Sequence, residues 1–297
     1  MRNFIRSISP LFLLKVYRKY KKQQQTAFLN ELQAKNEFIS KEQLIQDIID
    51  CGIQKGDSVL VHSSLSKIGY LKNGPNDIVD ALLFVVGEKG NVLMPNSPNA
   101  EYQLNYIQKN TLFDVQNSGS KLGAISEYFR LLPGAKRSAH PTEPVSCIGP
   151  DASYFTQTHF GEKTPYTKNS PFYKLVEQKG KILYIGVTLA NAGTSLHLLE
   201  DAVSNFKFPV YFPTPFNVKV LLESGEIKDM ETYVHDPAQS KKRKCDDLIP
   251  IFEDAGVLKH AKIGKAPTLV VSADGMYQTM LNAYQEKGIT MYTPKGS

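Results

Sequence analysis

The sequence contains few cysteines and none of the common signatures of hydrolases or nucleotide-binding enzymes. Its three cysteines, Cys51, Cys147 and Cys245, have no paired spacing. This argues against a disulfide framework and a zinc site, and it fits a reducing compartment. The chain also lacks Gly-x-Ser-x-Gly, the Walker phosphate loop and Gly-x-Gly-x-x-Gly. The commonest serine hydrolases, nucleoside triphosphatases and dinucleotide-binding enzymes are therefore not indicated.

Acidic residues are absent from the first 22 positions. The 297-residue chain carries 35 Lys and Arg against 29 Asp and Glu, a formal net charge of +6. Seven of the cations lie in that first segment: Arg2, Arg6, Lys15, Arg18, Lys19, Lys21 and Lys22. Subtracting these seven from +6 leaves a net charge of −1 for the remaining residues. The rest of the protein is therefore near neutral, and we expect no nucleic-acid partner.

The basic segment has no hydrophobic run long enough to span a bilayer, since its longest is Leu11–Leu14. No small-residue cleavage site follows, which argues against a secretory signal. Its scattered apolar residues predict a helical, amphipathic arm over residues 1–38. Three contacts remain open for it: an anionic membrane surface, a second subunit of a homo-oligomer, and the protein's own body. The expected location is cytoplasmic, with peripheral attachment at the inner face of the membrane left open.

From residue 39 onward, helix and strand patterns alternate. A capping box beginning at Ser40 predicts a helix, which Gly52 ends. Its predicted apolar face consists of Leu44, Ile45, Ile48 and Ile49. Strands are predicted over 58–61, 91–94 and 145–148, and helices over 76–86 and 121–132. Residues 96–120 are polar and are predicted to form a long functional loop.

The last third of the chain contains a predicted hairpin. Segments 216–222 and 227–234 flank the turn sequence Glu223-Ser224-Gly225-Glu226, which favours antiparallel pairing. The expected fold class is α/β: a single domain over 39–297 with a mixed, partly antiparallel central sheet flanked by helices, preceded by the basic helical arm.

The strongest candidate for chemistry is the pair His197 and Glu200. If their segment is helical, a spacing of three residues puts both side chains on one face. A carboxylate beside a histidine fixes its tautomer and leaves the other ring nitrogen free to accept a proton, as a general base requires. The same spacing also fits a buried structural histidine beside a solvated glutamate.

Two further segments, each next to a predicted strand, are candidates for ligand binding. His62-Ser63-Ser64-Leu65-Ser66 leaves a strand directly for a loop of small hydroxyl residues, where the backbone of an open sheet can approach a ligand. Arg137-Ser138-Ala139-His140-Pro141 lies between a Pro-Gly turn and a strand. Arginine suits a phosphate group, although a structural arginine paired with a carboxylate fits equally well.

Four blocks in this order resemble the aminoglycoside 3-N-acetyltransferase family, whose members use acetyl-CoA. They are residues 59–69, 90–95, 133–150 and 170–200, with a weaker block at Gly264-Lys265-Ala266. The resemblance covers about residues 40 to 290. It implies that His197 and Glu200 are catalytic and that His140 lies at the catalytic cleft. It also implies a coenzyme A site formed by His62, Ser63, Ser64, Leu65, Arg137 and Ser138.

The predicted reaction is direct acetyl transfer to an amine without a metal. Backbone amides near Ser63 and Ser64 are expected to stabilise the oxyanion. Asn191 stands where aminoglycoside-modifying members often carry an acid. We therefore expect an amino sugar as the acceptor, such as a nucleotide-linked one of a surface-polysaccharide pathway. The alternatives are aminoglycoside acetylation in antibiotic resistance, a metal-dependent hydrolase with His197 and Glu200 as ligands, and a non-catalytic membrane-associated binding protein.

One cationic run stays ambiguous at this point. Lys241-Lys242-Arg243-Lys244 is followed by two acids and is typical of a solvated loop, while contact with an anionic substrate is the less favoured interpretation. His140, His159 and His235 are scattered along the chain and show no recognisable metal-ligand spacing.

Overall fold

The computed structural model describes residues 20, 23–24, 26–28, 30–35, 37–99 and 102–296. No helix in this part of the chain is long and apolar enough to cross a membrane. The seven N-terminal cations lie outside the described residues, so the predicted membrane and subunit contacts of the arm stay predictions. Near its end, Leu32 is buried and the Lys265 ammonium lies 5.4 Å from the centroid of the Phe28 ring.

Ten strands form a central sheet and a small second sheet. The strands are β1 Ser58–Ser63, β2 Asn91–Pro95, β3 Leu112–Asp114, β4 Lys136–Arg137, β5 Val145–Ile148, β6 Lys181–Ile185, β7 Phe216–Leu221, β8 Ile227–Thr232, β9 Leu258–Ile263 and β10 Ala266–Ser272. The central sheet has seven strands in the order β4-β5-β2-β1-β6-β10-β9. Within the central sheet, β1 pairs in parallel with β2 and with β6, and the other strand pairs are antiparallel. The predicted mixed sheet is confirmed.

Helices of the described residues cover both faces of the central sheet, and one of them packs on the small sheet. They are α1 Lys41–Asp50, α2 Leu65–Ile68, α3 Pro75–Val86, α4 Gln103–Ile107, α5 Ala124–Arg130, α6 Ala152–Thr156, α7 Pro171–Glu177, α8 Leu189–Ala192, α9 Leu198–Ala202, α10 Pro237–Ser240, α11 Ile249–Asp254 and α12 Ala273–Lys287. Two 3-10 turns cover Thr194–His197 and Cys245–Leu248. The predicted capping of α1 is confirmed, because the Ser40 side chain accepts a hydrogen bond from the Gln43 amide.

The alternation of side chains along β1 separates two hydrophobic cores. Leu60 belongs to the core that contains α7, α9 and α12, whereas Val59 and Val61 belong to the core under α1, α3 and α5. All three side chains are buried, and burying each contributes roughly 1.5–3 kcal/mol. A sheet covered on both faces leaves its strand ends and the loops beyond them as the place for a site.

Three predictions from the sequence need correction. Residues 96–120 contain α4 and β3, because β3 pairs with β7, a partner about a hundred residues away that the local polar sequence does not indicate. The predicted hairpin forms as β7 and β8, but with β3 it makes a separate three-stranded sheet. Ile49, placed on the apolar face of α1, is 46% exposed.

Gly186 ends β6 and directs the chain toward the site described below. Its φ of +68° lies in the left-handed region, and a Cβ there would come within 2.5 Å of Lys67 Cβ. This close approach holds the segment after β6 against α2. Both the backbone conformation and the contact therefore favour glycine.

We expect Gly186→Ala to lower the free energy of unfolding more than the matched change Gly225→Ala. Gly225 has a φ of +84° but nothing within 4 Å of its virtual Cβ, so alanine there meets only the conformational cost of about 1–2 kcal/mol. Urea denaturation of both variants measures the difference. Equal losses would contradict a role for close packing at Gly186.

Candidate active site

The segment after β6 places His197 and Glu200 side by side. His197 ends the 3-10 turn Thr194–His197, and Glu200 lies in the first turn of α9. The backbone is therefore a 3-10 turn that continues into an α-helix, and both geometries keep residues three apart on one side. His197 Nδ1 lies 3.0 Å from Glu200 Oε2, with 8% of the His197 side chain exposed and none of the Glu200 side chain.

Glu200 is the centre of a buried polar cluster. Its Oε2 also lies 2.7 Å from His235 Nε2, and its Oε1 accepts a 2.7 Å hydrogen bond from the Tyr292 hydroxyl. The contact with His197 is longer, 3.0 Å from Nδ1 to Oε2, and less well directed for a hydrogen bond. The shared oxygen is thus bonded more firmly to His235, and Glu200 holds both rings.

Aromatic rings enclose the two histidines. The His197 and His235 ring centroids are 4.2 Å apart, Tyr166 stacks on His197 at 4.8 Å, and Tyr211 stacks on His235 at 4.9 Å. Asp201, next to Glu200, accepts hydrogen bonds from the hydroxyls of Tyr211 and Thr164. Burial raises the pKa of Asp201 to about 6 against these hydrogen bonds.

His235 was missed by sequence reasoning, which treated it as one of several scattered histidines. It follows β8 and is joined to Tyr211 by an isolated antiparallel bridge. Its backbone amide donates to Gln103 Oε1 over 3.1 Å. No local motif indicates this position, because its partners are 24 to 132 residues distant in sequence.

Burial and hydrogen bonding set the charge state of the cluster. Burial lowers the pKa of His197 and of His235, with the Glu200 carboxylate opposing the shift, so both imidazoles are neutral at pH 7. Burial opposes ionisation of Glu200, but the two histidines and their hydrogen bonds outweigh it and hold its pKa well below the usual range. Glu200 is therefore a carboxylate, and each neutral histidine has a lone pair on one ring nitrogen.

The donor types of this cluster could also suit a transition metal. Among the described residues, one ligand atom each from His197, Glu200 and His235 fall within 4.8 Å of one another. However, His235 Nε2 and Glu200 Oε2 are in direct hydrogen-bond contact at 2.7 Å. An ion with bonds of about 2.0–2.2 Å to both atoms would have to replace that hydrogen bond. The geometry fits a hydrogen-bonded cluster better than a ligand set.

The predicted coenzyme A loop lies next to this cluster. His62 Nε2 is 3.2 Å from the hydroxyl of Thr194, three residues before His197, and the His62 ring stacks on Tyr184. Ser63, Ser64 and Leu65 are partly exposed at the end of β1 and the start of α2. The sequence led us to expect a free Ser64 amide that stabilises the oxyanion. In the structure this amide donates to the Ile185 carbonyl over 2.9 Å and is not free for that role.

The resemblance led us to expect a phosphate contact for Arg137, but in the structure its side chain contacts the protein backbone. Its guanidinium is buried and donates to the backbone carbonyls of Asn96, Val115 and Ser118. These contacts tie the residue after β2 to the segment that follows β3. A phosphate contact would have to compete with them, and the role of Arg137 toward coenzyme A stays a prediction.

Ser138 and His140 belong to a second buried cluster. Ser138 Oγ contacts His159 Nδ1 at 2.9 Å, and the His140 ring stacks on His159 at 4.8 Å. His140 also contacts the hydroxyls of Thr142 and Thr232. The structure gives neither residue a direct contact with His197 or Glu200, and the catalytic role of His140 stays a prediction.

Comparisons with known proteins agree with this architecture. The profile of the aminoglycoside 3-N-acetyltransferase family matches residues 60–285. Aminoglycoside N(3)-acetyltransferase IX of Micromonospora chalcea is 25% identical over 268 residues, which cover 84% of this chain and 94% of that protein. A shorter match, to aminoglycoside N(3)-acetyltransferase III of Acinetobacter baumannii, is 32% identical over 174 residues, or 54% of this chain and 60% of that protein.

Two solved structures extend the similarity to the fold. The binary complex of AAC-IIIb with coenzyme A has a TM-score of 0.71 and 25% identity, and the match covers 84% of this chain and 97% of that one. AAC-VIa bound to sisomicin has a TM-score of 0.69 and 27% identity, and the match covers 84% of this chain and 98% of that one.

Fold, profile and relatives together define an acetyl-CoA-dependent N-acetyltransferase. The chain belongs to the aminoglycoside 3-N-acetyltransferase family, as the four sequence blocks predicted.

Proposed function

We propose that this protein transfers the acetyl group of acetyl-CoA to an amine of an aminoglycoside, with His197 as the general base. The observation that carries the proposal is the buried Glu200 carboxylate, which lies 3.0 Å from His197 Nδ1. Support for the acceptor class comes from the relatives, which are aminoglycoside N(3)-acetyltransferases, and from AAC-VIa, which binds sisomicin.

The proposed mechanism depends on which nitrogen of the His197 ring carries the proton. The Glu200 carboxylate, 3.0 Å from Nδ1, favours the tautomer of His197 with its proton on Nδ1, which leaves the Nε2 lone pair to accept a proton. An aliphatic amine is mostly protonated at pH 7 and cannot attack until it loses that proton. The freed nitrogen then attacks the thioester carbonyl, the C–S bond breaks and the coenzyme A thiolate takes up a proton. The acetyl group never bonds to the enzyme.

The loop from His62 to Leu65 is proposed to bind the acetyl-CoA arm. It ends β1 beside Thr194, so a thioester there would lie close to the segment that carries His197. Because the Ser64 amide is already paired with Ile185, the oxyanion donors in this proposal are other groups of the loop. AAC-IIIb with bound coenzyme A supports the cofactor assignment.

We expect His197→Ala to abolish most amine acetylation while acetyl-CoA still binds. Losing a general base should lower turnover on the order of 10² to 10⁴-fold. The matched control is His260→Ala, because His260 is an exposed histidine that is likewise paired with a glutamate, Glu253. Thiol release measures turnover, and calorimetry measures acetyl-CoA binding, both in the presence of a chelator.

Undiminished turnover of a folded His197→Ala protein would rule out the base assignment. If the wild-type protein binds acetyl-CoA only when no chelator is present, a metal-dependent site would instead be favoured. An equal loss in His260→Ala would show that the effect is not specific to His197.

A second candidate acceptor, an anionic amino sugar such as a nucleotide-linked one, is favoured by Arg243. This is the residue of the cationic run that turns inward: its Nε lies 3.2 Å from the Tyr292 hydroxyl, and its Nη2 is buried without a partner. A guanidinium linked to Glu200 through Tyr292 suits a substrate phosphate or carboxylate better than a polycationic drug. The near-neutral charge of residues 23–297 points the same way.

Competing acceptors separate the two candidates. We expect wild-type protein with acetyl-CoA to release thiol fastest with aminoglycosides, more slowly with free amino sugars and more slowly still with nucleotide-linked amino sugars. The measurement is kcat/KM for each acceptor. A preference for the nucleotide-linked sugar that is lost in Arg243→Gln, but kept in the exposed control Lys242→Gln, would reverse this order and establish the second candidate.

A further inference from the structure

We propose that His235 is a second catalytic base, which takes one of the two protons that the acceptor nitrogen must lose. This inference rests on the proposed amine acetylation and assigns the proton transfers within it. Sequence reasoning gave His235 no role, and the structure brings it into the same cluster as His197.

The reaction requires two proton removals from one nitrogen. A protonated amine carries three N–H bonds, and the amide product of a primary amine carries one. One of the two protons ends on the sulfur of coenzyme A when the C–S bond breaks, and the other is released to solvent. The balance is ammonium plus acetyl thioester giving amide, thiol and one proton. A single imidazole would have to discharge its first proton before it could take the second.

The hydrogen bond to Glu200 determines which nitrogen of His235 is free. Because Glu200 is a carboxylate, His235 Nε2 carries the proton in the 2.7 Å contact. In a neutral ring the lone pair then lies on Nδ1. Nδ1 makes no hydrogen bond with the described residues, and 5% of the His235 side chain is exposed.

The shared carboxylate oxygen brings the two imidazole rings together. Both rings bind the same oxygen, Glu200 Oε2, and their centroids are 4.2 Å apart with an interplanar angle of 38°. The second nitrogen of each imidazole therefore points away from the carboxylate. Each of these adjacent rings thus keeps one nitrogen that the carboxylate does not hold, Nε2 of His197 and Nδ1 of His235.

Five titratable or charged side chains face His235, and only His197 and Glu200 among them could take a proton. The five are His197, Glu200, Tyr166, Tyr211 and Arg243. Burial holds the pKa of both tyrosines well above its usual value, so they stay protonated. The Arg243 cation cannot accept a proton. The ring is also fixed in place, because the His235 amide donates to Gln103, whose side chain in turn donates to Glu143 over 2.8 Å.

The test is His235→Gln, which keeps an N–H donor for Glu200 and removes the titratable nitrogen. A protein without the second base must use acceptor that is already neutral in solution. We expect kcat/KM for an aminoglycoside acceptor to fall on the order of 10²-fold at pH 7. The deficit relative to wild type should shrink as pH rises toward the pKa of the amine. With hydroxylamine, whose nitrogen is mostly neutral at pH 7, the deficit should be much smaller.

Tyr292→Phe is the matched control, since Tyr292 also donates to Glu200, while burial raises its pKa so that it stays protonated and cannot act as a base. We expect its loss of activity to be the same for both acceptors and at every pH. If His235→Gln does not fold, His235→Asn replaces it.

A deficit that is equal for both acceptors and constant with pH would overturn the inference, because His235 would then only position Glu200. Full activity of His235→Gln would also overturn it. If wild-type protein acetylates no amine at any pH, the proposed function itself fails and this inference fails with it.

Discussion

The buried carboxylate of Glu200 is the interaction on which the site depends. Its side chain has no exposure, so its charge is stable only if donors surround it. The donors come from three separate parts of the chain: His197 in the same turn, His235 after β8, and Tyr292 beyond α12. Removing one partner of a buried charge typically costs about 3–5 kcal/mol. The requirement to satisfy Glu200 therefore ties the small sheet and the C-terminal segment to the central sheet.

The central sheet supplies the rigid frame for this arrangement. Gly186 turns the chain from the end of β6 toward His197, and β1 ends beside it at the loop proposed for acetyl-CoA. Parallel pairing of β1 and β6 puts both carboxyl ends at one edge, where open sheets bind ligands. The contact between His62 and Thr194 joins these two segments directly, so the loop proposed for the thioester and the segment that carries the proposed base follow adjacent strands.

Local sequence patterns predicted the elements whose stabilising contacts are local. The capping box at Ser40 and the spacing of His197 and Glu200 depend on residues within one turn, and both are present in the structure. Long-range contacts could not be predicted in this way. His235 and Tyr292 reach Glu200 only after the chain folds, and Arg137 hydrogen-bonds to backbone carbonyls, which carry no sequence signature. The pairing of β3 with β7 could not be predicted either, because the two strands are far apart in the sequence.

The most direct measurement of the central claim is a crystal structure of the protein with coenzyme A and an amine acceptor. The account predicts the acceptor nitrogen within hydrogen-bond reach, about 2.6–3.2 Å, of His197 Nε2, with the coenzyme A sulfur beside the loop from His62 to Leu65. It also predicts that Glu200 keeps its contacts with His197 and His235. An acceptor nitrogen beyond the reach of both histidines, or a metal ion separating His235 from Glu200, would contradict the account.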